Sequence, residues 1–346
     1  MTIRVGLIGY GLAGRVFHGP LITADDHYRL DVVVSGNAER AELALHRHPG
    51  VRVVSTVDEL LAQRDHLDLV VIAAPTPRHA ELARLTIGRA LPTVVDKPLA
   101  VHAGEAERLI DLAQERDTLL TVFHNRRWDG DFLTVKRLVD EGRLGEVHRF
   151  ESRFEWISSR PQPLWKTETS GAEGGGVAYD LGSHLIDQAI QLFGPVIESE
   201  TYGELLTRRD DGVNDDDTFI ALVHESGVRS HLGMSSLVAQ RGFRFRVLGS
   251  ASAYTKRGLD TQEEQLGSGV SPHDTQYGTA SSELDGRLGS DLDHAVVPTE
   301  RGRYPEFYRQ LALAIEGRGP APVDPRDAVA GIRIVERLRA AADAGR

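Results

Sequence analysis

Toward the amino terminus, apolar residues gather into short runs at 5–8, 30–34, 51–54, 67–73, 93–95 and 119–123, with Asp31, Arg52 and Asp68 as the charged residues among them. Amphipathic stretches at 15–23, 38–48, 57–63, 77–88 and 103–116 separate them; the first can continue as a helix at least as far as the turn signal Gly19-Pro20, and Pro49-Gly50 closes the second. Runs so dominated by apolar residues predict strands buried on both faces, and their alternation with helices predicts a doubly wound parallel sheet. After Trp128 the pattern changes. Residues 133–141 read as a helix, and 148–156 alternate, with Phe150, Phe154 and Trp156 on one side and Arg149, Glu151, Arg153 and Glu155 on the other. Residues 218–223, 227–232 and 243–247 alternate in the same way, which predicts an open, mostly antiparallel sheet with one covered face. Residues 258–303 are poor in apolar side chains and read as a long loop, a lid or an interaction segment. Two helices close the chain, at 305–316 and 324–342, with Asp324 and Pro325 suited to the start of the second. The expected fold is α/β, with a first domain at 1–124 and a second α/β domain at 125–346.

The first apolar run enters Gly9-Tyr10-Gly11-Leu12-Ala13-Gly14 and then a helix. That is the dinucleotide-binding fingerprint of a Rossmann domain: one glycine for the tight turn, one for close approach to a pyrophosphate, one for helix–strand packing. Other polar residues collect just after strand carboxyl ends, at Ser35, Pro75-Thr76, Asp96-Lys97 and His124-Asn125. Those ends form the ligand-binding rim of a doubly wound sheet. The second strand ends in Ser35, Gly36 and Asn37 with Arg40 soon after, not in an acidic residue. A carboxylate there would oppose a ribose 2′-phosphate by on the order of a few kcal/mol. Its absence favours NADP over NAD, with Ser35, Asn37 and Arg40 as cofactor contacts.

Lys97 stands between an acid and Pro98, whose ring restricts the lysine toward extended geometry. At the rim its ammonium can hydrogen-bond a substrate oxygen and stabilise charge developing there. A second cluster runs from Gly174-Gly175-Gly176 to Asp187. In a helix beginning near Tyr179, Asp180 and His184 share a face, and Asp187 lies one turn further on. A histidine beside a carboxylate can move a proton near neutral pH. It can also be a locally satisfied histidine with no substrate beside it. The triple glycine would let backbone approach a ligand, and no third or fourth ligand accompanies the pair, so no metal is expected. The run His124-Asn125-Arg126-Arg127-Trp128 offers groups for a nicotinamide amide or substrate hydroxyls, Asn125 for the first and Arg127 for the second. Trp165 stands among the expected cofactor contacts, although an aromatic residue in a proline-rich stretch usually packs. His46 and His48 read as helix-surface residues, and Asp215-Asp216-Asp217 as a solvated turn.

Composition narrows the picture. With 346 residues, about two domains are expected. No cysteine is present, which excludes disulfides, thiolate nucleophiles and cysteine-ligated metals and suits a reducing cytoplasm. A net charge of −11 argues against a nucleic-acid partner. No apolar run approaches the roughly 20 residues of a membrane span, and the chain leads directly from Met1 into its first strand, so no leader is expected.

The motifs together resemble the Gfo/Idh/MocA oxidoreductases. The likeness rests on Gly9-Tyr10-Gly11-Leu12-Ala13-Gly14, Ala74-Pro75-Thr76-Pro77-Arg78-His79, Asp96-Lys97-Pro98, the run from Phe123 to Asp129, and the run from Tyr179 to Asp187. Val16-Phe17-His18-Gly19-Pro20-Leu21 points to the branch holding NADP-dependent scyllo-inositol dehydrogenases. The resemblance implies Lys97, Asp180 and His184 as the catalytic set, also touching substrate. It implies that Pro75, Thr76 and His79 belong to a nucleotide-contacting turn, beside Ala74 and the fingerprint residues Tyr10, Leu12 and Ala13. The implied substrate is a sugar, polyol or cyclitol, and the implied assembly a homodimer or homotetramer through the C-terminal sheet. A non-catalytic nucleotide sensor and a reductase of a non-sugar carbonyl are the competing readings. The family's usual Glu-Lys-Pro is Asp96-Lys97-Pro98 here, which puts the bracing of Lys97 in question.

Overall fold

A computed structural model describes residues 2–157 and 168–344; Trp165 lies outside the described residues. The first sheet has six strands: β1 (Ile3–Ile8), β2 (Tyr28–Val34), β3 (Arg52–Val54), β4 (Leu69–Ile72), β5 (Thr93–Asp96) and β6 (Leu120–Phe123). All pairings are parallel, in the order β3-β2-β1-β4-β5-β6. The order reverses between β1 and β4, which makes their carboxyl ends the topological switch point where ligands bind in such sheets. Val5, Leu7, Val70, Val71, Val94 and Val122 are fully buried, as continuous apolar strands require.

Helices α1 (Gly19–Thr23), α2 (Ala38–Arg47), α3 (Val57–Leu61), α4 (His79–Ile87) and α5 (Ala103–Glu115) connect these strands. Gly19-Pro20 does not stop the first of them. A π-helical turn at Gly14–His18 runs directly into α1, and Pro20 occupies its first turn, where a missing N–H costs no hydrogen bond.

The second sheet has eight strands: β7 (Val147–Glu155), β8 (Tyr202–Leu206), β9 (Asp217–Val223), β10 (Arg229–Ser235), β11 (Phe245–Gly249), β12 (Ala253–Lys256), β13 (Gly286–Gly289) and β14 (His294–Val297). Their order is β14-β13-β12-β11-β7-β10-β9-β8, and only β7 and β10 pair in parallel. Helix α6 (Gly130–Asp140) packs against α7 (Ser183–Phe193). Phe150 and Phe154 point to the covered face of the sheet, beneath α7. On the other face Glu151 is held among Arg149, Arg153 and Arg246, at 3.2, 3.7 and 3.2 Å.

The expected loop at 258–303 is instead a structured segment. It holds α8 (Gln262–Gly267), the edge strand β14 and its neighbour β13; strands of four residues with glycine at both ends of β13 carry too little periodicity to be read as strands. Helices α9 (Pro305–Ile315) and α10 (Pro325–Ala344) complete the chain.

Two compact units result: 1–125 with 262–277 and 303–329, and 126–261 with 278–302 and 330–346. Inside the first, Phe307 of α9 meets Phe123 edge-on at 4.9 Å, and the Thr121 hydroxyl donates to the Val323 carbonyl at 2.7 Å. Among the described residues no helix is long and apolar enough to cross a membrane.

Candidate active site

The three fingerprint glycines hold three different positions. Gly9 has φ +98°, and a Cβ there would stand 2.5 Å from the Ala73 carbonyl oxygen. A Cβ on Gly14 would stand 2.1 Å from the Gly9 carbonyl oxygen, so the turn and the first helix touch backbone to backbone. Gly11 is open: among the described residues, only Arg40 Nη1 comes within 4 Å of its Cβ position, at 3.9 Å. A dinucleotide phosphate needs that bare backbone, and the loop therefore fits the group.

Around this cradle the expected contacts divide. Tyr10 is turned into the core, its hydroxyl 2.8 Å from His48 Nε2. His48 is accordingly a buried partner of Tyr10 and not a surface residue; burial, helped by Arg47, lowers its pKa. Its period-3.6 position gave no sign of this, because the partner lies 38 residues away. Leu12 is exposed and Ala13 half-buried. The Asn37 side chain caps α2, accepting the Arg40 N–H at 2.9 Å, a structural task in place of the expected cofactor contact for that oxygen. Ser35 and the exposed Arg40 stand beside it at the end of β2.

At the end of β4, Ala74 and Pro75 lead into a 3₁₀ turn at Thr76–Arg78 and then α4. His79 is buried. Its Nδ1 lies 2.7 Å from the Pro98 carbonyl oxygen and its Nε2 2.8 Å from that of Ala74. The ring therefore ties the turn after β4 to the turn after β5 and has no edge left for a nucleotide. Asp96 accepts the Lys97 N–H at 2.8 Å on Oδ1, so the shorter acid braces the backbone of the half-buried lysine directly.

Asn125 opens a 3₁₀ turn at Asn125–Trp128 and is buried. Within the second unit, Arg127, expected as a substrate contact, forms a two-pronged pair with Asp187 at 2.8 and 2.5 Å, which makes it a support for α7. Arg244 went unnoticed in the sequence. It is 2% exposed, bonds Gln188 at 2.9 Å, pairs with Asp131 at 3.2 Å and stacks on Phe154 and Phe245 at 4.1 and 3.9 Å. Gln188 in turn donates to the Arg126 carbonyl at 2.8 Å. An arginine in an alternating strand looks solvated until its partners are known.

A π-helical turn at Ala178–Gly182 carries Asp180 and passes without a break into α7, which carries His184. His184 is buried, with the Phe154 ring 6.5 Å away and nearly perpendicular. Gly175 and Gly176 of the triple glycine face the protein's own groups: a Cβ on Gly175 would stand 1.9 Å from the Thr169 carbonyl oxygen, and one on Gly176 2.0 Å from Asp215. Nor is the acidic run a solvated turn. Asp215 and Asp216 are buried, Asp216 accepting the N–H groups of Arg208 and Arg209 at 2.8 and 3.1 Å.

Residues 3–124 match the family model of an oxidoreductase NAD-binding Rossmann fold, and residues 136–346 match that family's C-terminal alpha/beta domain. The chain belongs to the Gfo/Idh/MocA oxidoreductase family. It is similar to scyllo-inositol 2-dehydrogenase (NADP(+)) of Bacillus subtilis, at 32% identity over 97% of this chain and 92% of that protein. Inositol 2-dehydrogenase of Rhizobium meliloti is 28% identical over 73% of this chain and 75% of that one. The solved structure of the oxidoreductase yvaA from Bacillus subtilis matches with a TM-score of 0.91 and 32% identity, covering 100% of this chain and 97% of that one. This Gfo/Idh/MocA protein is therefore an NAD(P)-dependent oxidoreductase, and its fold class is the one the hydropathy pattern predicted.

Proposed function

We propose that the protein oxidises or reduces a secondary alcohol–ketone pair of a sugar, polyol or cyclitol, with NADP as the preferred cofactor. The observation that carries this reading is the rim of the first sheet. The open Gly11 backbone, Arg40 and Lys97 all lie beyond carboxyl ends of strands in one parallel sheet, as nucleotide and reacting group require. The activity for which the Bacillus relative is named supports the cyclitol class. When bound, the nicotinamide supplies the hydride chemistry. Lys97 Nζ donates to the reacting oxygen and stabilises its negative charge. The His184 imidazole takes the hydroxyl proton during oxidation and returns it during reduction, oriented by Asp180. Arg127 donates to substrate hydroxyls. Pro75, Thr76 and Asn125 line the cofactor. In solution the protein is a homodimer or homotetramer through the second sheet, whose open face carries Phe219 and His231 in ring contact at 6.0 Å.

The test is a panel of inositols, polyols and sugars with NADP+ and NAD+, run on the wild type, Lys97→Ala and His184→Ala. Turnover on at least one cyclitol or sugar is expected, falling by about two to four orders of magnitude in each variant while NADPH still binds. Tight NADPH binding with no turnover on any substrate would favour a nucleotide sensor. Unchanged turnover in Lys97→Ala would remove that lysine from the mechanism.

A further inference from the structure

Asp215 is 3% exposed and sits against the start of the helical run that carries Asp180 and His184. Its Oδ2 accepts the Ala178 N–H and the Thr218 hydroxyl, both at 2.8 Å, and its backbone oxygen accepts the Val177 N–H at 3.0 Å. Its Oδ1 pairs with Arg339 Nη2 from α10. That same nitrogen donates to the Gly175 carbonyl at 2.7 Å, and the guanidinium lies 5.0 Å from the Tyr179 ring centre. The glycines make room for this pair. A Cβ on Gly171 would stand 1.9 Å from Arg339 Nη1, and Gly174 and Gly176 hold φ of +85° and +95°.

We propose that Asp215 and Arg339 are positioning residues that set the register of the Asp180–His184 helical run; this rests on the catalytic roles proposed above. A carboxylate on the first N–H of a helical run satisfies an orphan donor and complements the positive end of the run. Here it also chooses between pairings. The π-helical turn bonds i to i+5, while the α-helix after it bonds i to i+4. A slip of one residue at their junction rotates the π-helical turn by about 100° relative to α7. Asp180 lies before that junction and His184 after it. Fixing Ala178 at Asp215 holds the turn in one pairing. Arg339 holds Asp215 in place, because a buried carboxylate left without its cation is strongly unfavourable.

The experiment compares wild type, Arg339→Met, Arg339→Lys and the double variant Asp215→Asn/Arg339→Met, all saturated with NADPH. Hydrogen exchange of the peptide around 176–186 is read beside NADPH affinity and turnover on the substrate the panel identifies. Arg339→Met should raise exchange of the Ala178 and Tyr179 amides at least about tenfold and lower kcat about 10- to 100-fold, with KM for NADPH within about twofold of wild type. Arg339→Lys should restore part of both, though not all, since lysine lacks the planar fork. If Arg339→Met does not fold, the double variant, which buries no unpaired charge, carries the comparison. Wild-type exchange in a folded Arg339 variant overturns the proposal. So does unchanged kcat in a variant whose exchange has risen, or a kcat loss matched by loss of NADPH sites with no rescue by lysine. If kcat survives His184→Ala itself, the catalytic reading is what fails, and the exchange result still stands for the positioning of the helix.

Discussion

His18 sits in the π-helical turn behind the fingerprint and makes the nucleotide unit sensitive to acid. It is fully buried, with Nδ1 2.7 Å from the Tyr308 hydroxyl and its ring 4.4 Å from that of Phe123. Burial pushes its pKa down to about 4, with Asp96 opposing the shift and His79 adding to it. In the unfolded chain the ordinary value is about 6.5. Between the two values the unfolded state binds the extra proton and the folded state does not, so stability rises with pH across that window. The contribution is complete above about pH 6.5 and lost as pH falls to about 4, a difference of about 3 kcal/mol. His18→Gln keeps a polar partner for Tyr308 and removes the titration. Wild type and variant are compared by urea unfolding at intervals from about pH 7.5 to about pH 4, followed through NADPH-binding competence. His48 and His224, whose pKa values burial also lowers, act equally in both proteins and drop out of the comparison. The wild type should lose about 3 kcal/mol more than the variant over this range. Parallel curves would refute the reasoning, because they would mean that His18 either charges in the folded state at no cost or is reached by water.

Two further outcomes are expected. Arg40→Ala should raise KM for NADP+ about 10- to 100-fold, as for loss of a charge-assisted bond, and leave KM for NAD+ within about threefold, measured with the substrate the panel supplies. Gly14→Ala places a methyl 2.1 Å from the Gly9 carbonyl oxygen, so backbone must move. A stability loss of at least about 1–3 kcal/mol is expected, read by thermal unfolding, with weakened NADPH binding.

The two sheets were legible in the chain because each derives from a period that a sequence displays directly. A short, β-branched apolar run such as 69–73 fits a strand buried on both sides, and alternation such as that around Phe150 and Phe154 marks a strand with one covered face. The fingerprint was equally legible, since Gly9 and Gly14 are required by positive φ and by backbone contact within a single turn. Polar residues whose meaning comes from partners far along the chain could not be read. His48 looked solvated until Tyr10 reached it, Asp215 until Arg339 did, and Arg244 until Gln188 and Asp131 closed around it. The triple glycine announced close approach, and only the tertiary structure decided that a buried ion pair is the group that approaches. Local periodicity and backbone sterics act over a few residues and are written into consecutive positions. The desolvation of a charged side chain depends on everything the fold brings against it, so its outcome is fixed only when distant segments meet.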